Sequence, residues 1–211
     1  MKKVAVAALI LSSISTGALA HDAGEFFIRA GSATVRPNEG SDNVLGSLGG
    51  FNVSNNTQLG LTMTYMATEN VGIELLAASP FRHKVGTGPT GTIATVHHLP
   101  PSLVAQWYFG DAGSKFRPYV GAGINYTMFF NEKFNDTGKD AGLSDLSLKN
   151  SWGAAGVAGL DYLINRDWLI NASVWYMDID TDVRFKAGGV QQSVSTRLDP
   201  WVFMFSAGYR F

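Results

Sequence analysis

Few side chains in this sequence have types and spacing suited to chemistry. His83, His97 and His98 flank one stretch, and imidazoles are common transition-metal ligands. No carboxylate or thiolate lies close to them in sequence, so they read as solvated polar residues and no metal site is expected. Asp178, Asp180 and Asp182 alternate, which in a strand sets three carboxylates on one face. Such a row makes a solvated acidic rim, or a place where a divalent cation bridges to external phosphates. Serine, histidine and aspartate occur, yet no spacing sets a nucleophile beside a base. Neither Gly121-x-Gly123 nor the Gly153, Gly156, Gly159 run precedes a helical pattern, so neither reads as a phosphate loop. With no cysteine there is no disulfide framework and no thiolate site. The sequence predicts no enzyme and no cofactor.

The elements that carry these residues alternate. Trp201, Phe203, Phe205, Ala207, Tyr209 and Phe211 share one parity, while Val202, Met204, Ser206, Gly208 and Arg210 share the other. Alternation sends the two sets to opposite faces of a strand. An aromatic face would aggregate in water but is well solvated by lipid. Charged residues make up 16% of the chain, below the roughly 25% of a soluble domain. Residues 1–20 precede this pattern with Lys2 and Lys3, an apolar core, and Ala18-Leu19-Ala20. That order predicts a cleaved signal peptide and an exported domain over 21–211. Losing two lysines leaves nothing basic that suggests nucleic acid.

Eight strands are predicted near 25–35, 57–67, 71–82, 98–109, 117–129, 150–163, 168–180 and 196–211. Short polar turns alternate with longer Gly-, Asn-, Thr- and Asp-rich stretches near 36–56, 83–97, 130–149 and 181–195, read as loops. This asymmetry is that of an eight-stranded antiparallel transmembrane β-barrel with periplasmic termini. Strand seven supplies a ruler: Trp168, Ile170, Ala172, Val174 and Tyr176 face one way. Their eight intervals, at about 3.3 Å and tilted about 40°, span roughly 20 Å of bilayer.

Parity then sorts the remaining polar residues. Glu25, Arg29, Glu74, Asp161 and Arg210 face the lumen near the periplasmic end, where they should pair into a charged floor. Leu76 shares the face of Glu74, and Trp175 shares that of Asn171 and Ser173. The two are expected to form an apolar constriction or pocket above the floor, or simply to fill a narrow barrel. Pro80 falls late in strand three, and Pro100-Pro101 open strand four. Proline donates no ladder hydrogen bond, so these three mark either the sheet's end or a lateral opening.

The chain resembles the outer membrane protein W family of Gram-negative bacteria along essentially its whole length. The residues that carry the likeness are His21-Asp22-Ala23-Gly24-Glu25-Phe26-Phe27, Pro80-Phe81-Arg82-His83 and Thr95-Val96-His97-His98-Leu99-Pro100-Pro101. Arg117-Pro118-Tyr119-Val120-Gly121-Ala122-Gly123 and Leu198-Asp199-Pro200-Trp201 through Tyr209-Arg210-Phe211 add to it. The resemblance implies an eight-stranded barrel, a largely apolar interior and passage of small hydrophobic molecules. It also implies that Phe211 is the terminal aromatic read by the barrel-insertion machinery. The partners expected are membrane lipid, lipopolysaccharide and small hydrophobic solutes. The competing expectation is a structural or receptor barrel whose long loops bind phages, bacteriocins or host factors. An ion-selective pore is disfavoured by the scarcity of inward charge above the floor.

Overall fold

The computed structural model describes residues 21–41, 50–88 and 91–211; the expected signal peptide at 1–20 lies outside them. Among the described residues, fifteen strands and one short helix follow one another. They are β1 (Phe26–Arg36), β2 (Gly40–Ser41), β3 (Phe51–Val53), β4 (Asn56–Met66), β5 (Val71–Ala78), β6 (Phe81–Thr87), β7 (Gly91–Leu99) and β8 (Ser102–Tyr108). Next come β9 (Phe116–Phe134), α1 (Asp136–Asp140), β10 (Leu143–Leu148), β11 (Ser151–Leu163), β12 (Trp168–Met177), β13 (Asp180–Ala187), β14 (Val190–Arg197) and β15 (Trp201–Arg210).

Eight of these close a ring of antiparallel ladders in the order β1, β4, β5, β8, β9, β11, β12, β15 and back to β1. Closure leaves no free edge, which a sheet in lipid requires. The start of β1 and the end of the chain lie together at one end of the ring, where the Phe211 N–H donates to the Phe26 carbonyl at 2.9 Å. The outward residues alternate with the inward ones in every wall strand. Leu59, Leu61, Met63 and Tyr65 are exposed on β4, and Trp201, Phe203, Phe205 and Tyr209 on β15. Aromatic pairs ring the belt at both ends. Trp168 and Tyr209, 5.1 Å apart, stand near the chain termini, and Tyr176 and Trp201, also 5.1 Å apart, stand at the far end.

The expected long loops are largely strands. Only the turns at the terminal end are short and irregular; at the far end the sheet continues beyond the belt. β3, β6, β7 and the outer part of β9 pair with one another, and so do β10, β13, β14 and β2. The reason is burial. Val183 and Phe185 on β13, Val194 on β14 and Ile93 and Ala94 on β7 form an apolar cluster of their own, which polar neighbours hide in the sequence. Strand three, expected to run to residue 82, stops at Ala78, and Phe81 begins a new strand.

Candidate functional site

The interior is layered. At the terminal end, the inward residues of five wall strands converge on Arg29. Its Nε and Nη2 donate to the two oxygens of Asp161 at 3.1 and 2.5 Å, and it pairs with Glu74 on the other side. Nη2 also donates to Tyr108 Oη at 2.9 Å and Nη1 to Thr64 Oγ1 at 3.0 Å. Thr64 in turn donates to Glu74 at 2.7 Å, and Asn171 Nδ2 donates to Asp161 at 2.7 Å. His21 Nε2 lies 3.0 Å from Asp161, and Arg210 pairs with Glu25 nearby. The charged floor thus brings together Arg29, Glu74, Asp161 and Arg210, all buried, and the half-buried Glu25. Buried charges persist only when partnered in this way.

Sequence reasoning missed the aromatic part of this floor. Tyr108 and Tyr119 are fully buried, their rings 4.9 Å apart, and the Arg29 guanidinium lies 4.6 Å from the Phe27 ring. Tyr119 fits only because Gly159 stands opposite: a Cβ there would lie 2.4 Å from its ring. The available signal was parity, since Tyr108 shares the face of Val104 and Gln106.

Above the floor lies an apolar layer. Leu76, Val104, Val157, Trp175, Val202 and Met204 are buried in one continuous apolar cluster. Along β12 and its continuation, Asn171 belongs to the floor, Trp175 follows four residues on, and Ile179 four beyond that lines a cavity. Leu76 and Trp175 both point inward, with Trp175 Nε1 donating to Ser173 Oγ at 3.3 Å. They lie beneath the cavity and outside its lining.

The cavity itself measures about 130 Å³ and is walled in part by the strands of the extension and in part by the ends of the predicted wall strands, among them Phe129 and Ile179. Val96, Phe129, Leu143, Ile179, Val183 and Phe185 contribute apolar surface. His83 and His98 face it as well, with their rings stacked at 4.8 Å. Both imidazoles lie beyond the outer aromatic pairs, in the extension. Burial pushes His98 well below the ordinary histidine range, helped by His83, and pushes His83 down too. His97 points to the opposite face and stacks on Phe130 at 5.9 Å, so the three histidines do not converge.

Beside the apolar layer the barrel wall is interrupted. β5 and β8 pair as far as Leu76 and Ser102, and β6 and β7 pair from Phe81 and His98 onward. No ladder pair joins residues 77–80 to 99–101, the stretch that holds Pro80, Pro100 and Pro101. On the other side, Pro101 O accepts from the Tyr126 N–H at 3.0 Å, so this segment remains tied to β9. At the rim, Asp178 and Asp180 gather with Asp199, their carboxylate oxygens within 4.8 Å of one another. Asp182, expected in that row, accepts instead from Ser195 Oγ at 3.1 Å.

A closed antiparallel barrel with an apolar exterior, two aromatic belts and a plugged polar floor is an integral outer-membrane protein. The chain belongs to the OmpW family, whose model matches residues 22–211. It is 75% identical over 212 residues to outer membrane protein W of Escherichia coli, covering 100% of both chains. It is 49% identical over 217 residues to outer membrane protein W of Vibrio cholerae, again covering 100% of each. Its fold is similar to the crystal structure of OprG from Pseudomonas aeruginosa, with a TM-score of 0.86 and 42% identity, covering 92% of this chain and 99% of that one. Its wall accordingly sits in the outer membrane, in contact with lipid and lipopolysaccharide.

Proposed function

We propose that this barrel conducts small hydrophobic molecules passively across the outer leaflet. The termini and short turns face the periplasm, and the cavity faces outward. A solute leaves the aqueous exterior for the cavity, stops at the constriction made by Leu76 and Trp175, and exits sideways into lipid past Pro80, Pro100 and Pro101. The floor of Glu25, Arg29, Glu74, Asp161 and Arg210 keeps water and ions from following an axial path. Phe211 serves the barrel-insertion machinery during assembly.

The observation that carries this reading is an apolar cavity in the extension, set above the buried charged floor and next to the unpaired stretch of wall. Burying apolar surface contributes about 25 cal/mol per Å², so such a cavity concentrates hydrophobes from water. Lipopolysaccharide is a poor solvent for them, which gives a protein route its use. No nucleotide-binding loop is needed, because flux follows the concentration gradient. The test is uptake of labelled toluene-sized hydrophobes by lipopolysaccharide-containing vesicles with and without the protein. Faster entry into protein-bearing vesicles is expected; equal rates would overturn the proposal.

A further inference from the structure

Among the described residues, the cavity lining is apolar except at one spot. Of the polar side chains in its described lining, Thr181 donates to Lys149 O at 2.6 Å and Thr196 lies 3.5 Å from Val194 O. The Nε2 atoms of His83 and His98 are buried and have no hydrogen-bond partner. An unpaired polar atom in an apolar wall is costly and calls for a partner. The two rings are stacked within 12° of parallel and flanked by Phe81 and Phe129, so they form one small polar subsite in an aromatic surround.

The required chemistry follows from the tautomer. His83 Nδ1 lies 2.5 Å from the Ser54 carbonyl oxygen, which can only accept. The Nδ1 therefore carries the proton, and Nε2 keeps an unpaired lone pair on a ring that lines the cavity. A ligand must donate to that lone pair. An ether or ketone cannot do so, and a hydrocarbon leaves it unpaired. A carboxylate also lacks the proton, and would bring its charge into a lining that, among the described residues, holds no lysine or arginine. A hydroxyl donates to His83 and can accept from the neighbouring His98 ring. The space of about 130 Å³ compares with the roughly 150 Å³ cavity known to hold benzene.

We infer that the His83–His98 pair is a hydroxyl-recognition subsite of the cavity, selecting single-ring phenols and similar apolar alcohols over hydrocarbons of the same size. This rests on the conduit reading for the cavity's use, but the recognition can be tested apart from transport. Satisfying a buried acceptor that would otherwise stay unpaired is worth about tenfold in affinity.

The experiment uses the full mature chain in lipid nanodiscs, with ¹⁵N-labelled histidine and methyl-labelled Val and Leu. p-Cresol, 4-methylanisole and toluene are titrated, with affinities referred to free aqueous concentration. The expected result is saturable shifts of the cavity methyls by all three, p-cresol binding about tenfold more tightly than the others. Only p-cresol should move the His83 Nε2 resonance in the direction of an accepted hydrogen bond. In the His83→Phe variant, p-cresol should fall to the affinity of toluene while toluene binding persists. Equal affinities in the unmodified chain, the result if a trapped water already satisfies the imidazoles, would overturn the subsite and leave the conduit standing. Absence of binding by all three would overturn both. The comparison in the unmodified chain needs no variant, so misfolding of His83→Phe does not protect the proposal.

Discussion

Arg29 can anchor the floor because its planar fork meets the Asp161 carboxylate through two nitrogens while a third reaches Glu74. Lysine could not replace this geometry. Removing the cation strands two buried carboxylates, so Arg29→Met should destabilise the barrel by about 3–5 kcal/mol. A lowered urea midpoint in micelles would show it, and an unchanged midpoint would speak against the floor as a stabilising unit. The two cavity histidines set a second residue-level expectation. Both have folded-state pKa values lowered by burial, so the unfolded chain takes up their protons first as pH falls. Their contribution to stability is complete above the ordinary value of 6.5 and is lost as pH drops below it. No carboxylate, lysine or arginine lines the cavity among the described residues, and His97, on the opposite face, adds only a charge that opposes protonation of His83. The melting temperature should thus be flat from pH 8 to 7 and decline from pH 6.5 toward 5. In His98→Phe that decline should be shallower; an identical slope would assign the titration elsewhere.

At the level of the element, the wall between β5 and β8 and its continuation in β6 and β7 is the distinctive feature. A strand secured by two neighbours exchanges its amide protons slowly, whereas one lacking a ladder on one side opens readily. Amides at 77–79 should exchange much faster than those of β12, which pairs with β11 and β15 along its length. Exchange as slow as in β12 would close the lateral route. The eight wall strands were legible because each has lipid on one face and protein on the other, which forces clean alternation. The floor charges were legible for the same reason, since parity alone sends Glu74 and Asp161 inward. The extension was not. Its outer face meets water, so Thr, Ser, Gln and charged residues dilute the pattern of β13 and β14, and the stretch reads as loop. The pairing of His83 with His98 was hidden too. It depends on the β6–β7 register, which sets Phe81 opposite His98 and His83 opposite Val96, and register is decided by a turn and by the cavity side chains.

The whole molecule must first assemble, and here the chain terminus enters. Phe211 is exposed, packed edge-on against Tyr209 at 5.0 Å and near Phe26 at 6.1 Å, so it contributes little to the interior. Deleting it should lower the inserted yield in cells while leaving the urea midpoint of refolded barrels nearly unchanged. A large drop in midpoint with normal insertion would reverse that assignment. Once assembled, the barrel has two conceivable ways through: along its axis, past the floor, or sideways through the wall. They make opposite demands on the floor. Tyr108 and Tyr119 fill the space around Arg29, and replacing both by alanine removes the bulk that plugs the axis while leaving the charges. Eight-stranded barrels are narrow enough that side chains alone decide whether water passes. The unmodified protein should therefore show no step-like ion conductance in planar bilayers, and the double variant should show some. If hydrophobic solutes leave sideways above the floor, toluene uptake into vesicles should be the same for both proteins. Uptake rising in step with ion conductance would mean that the two share one axial path, and the lateral exit would fall.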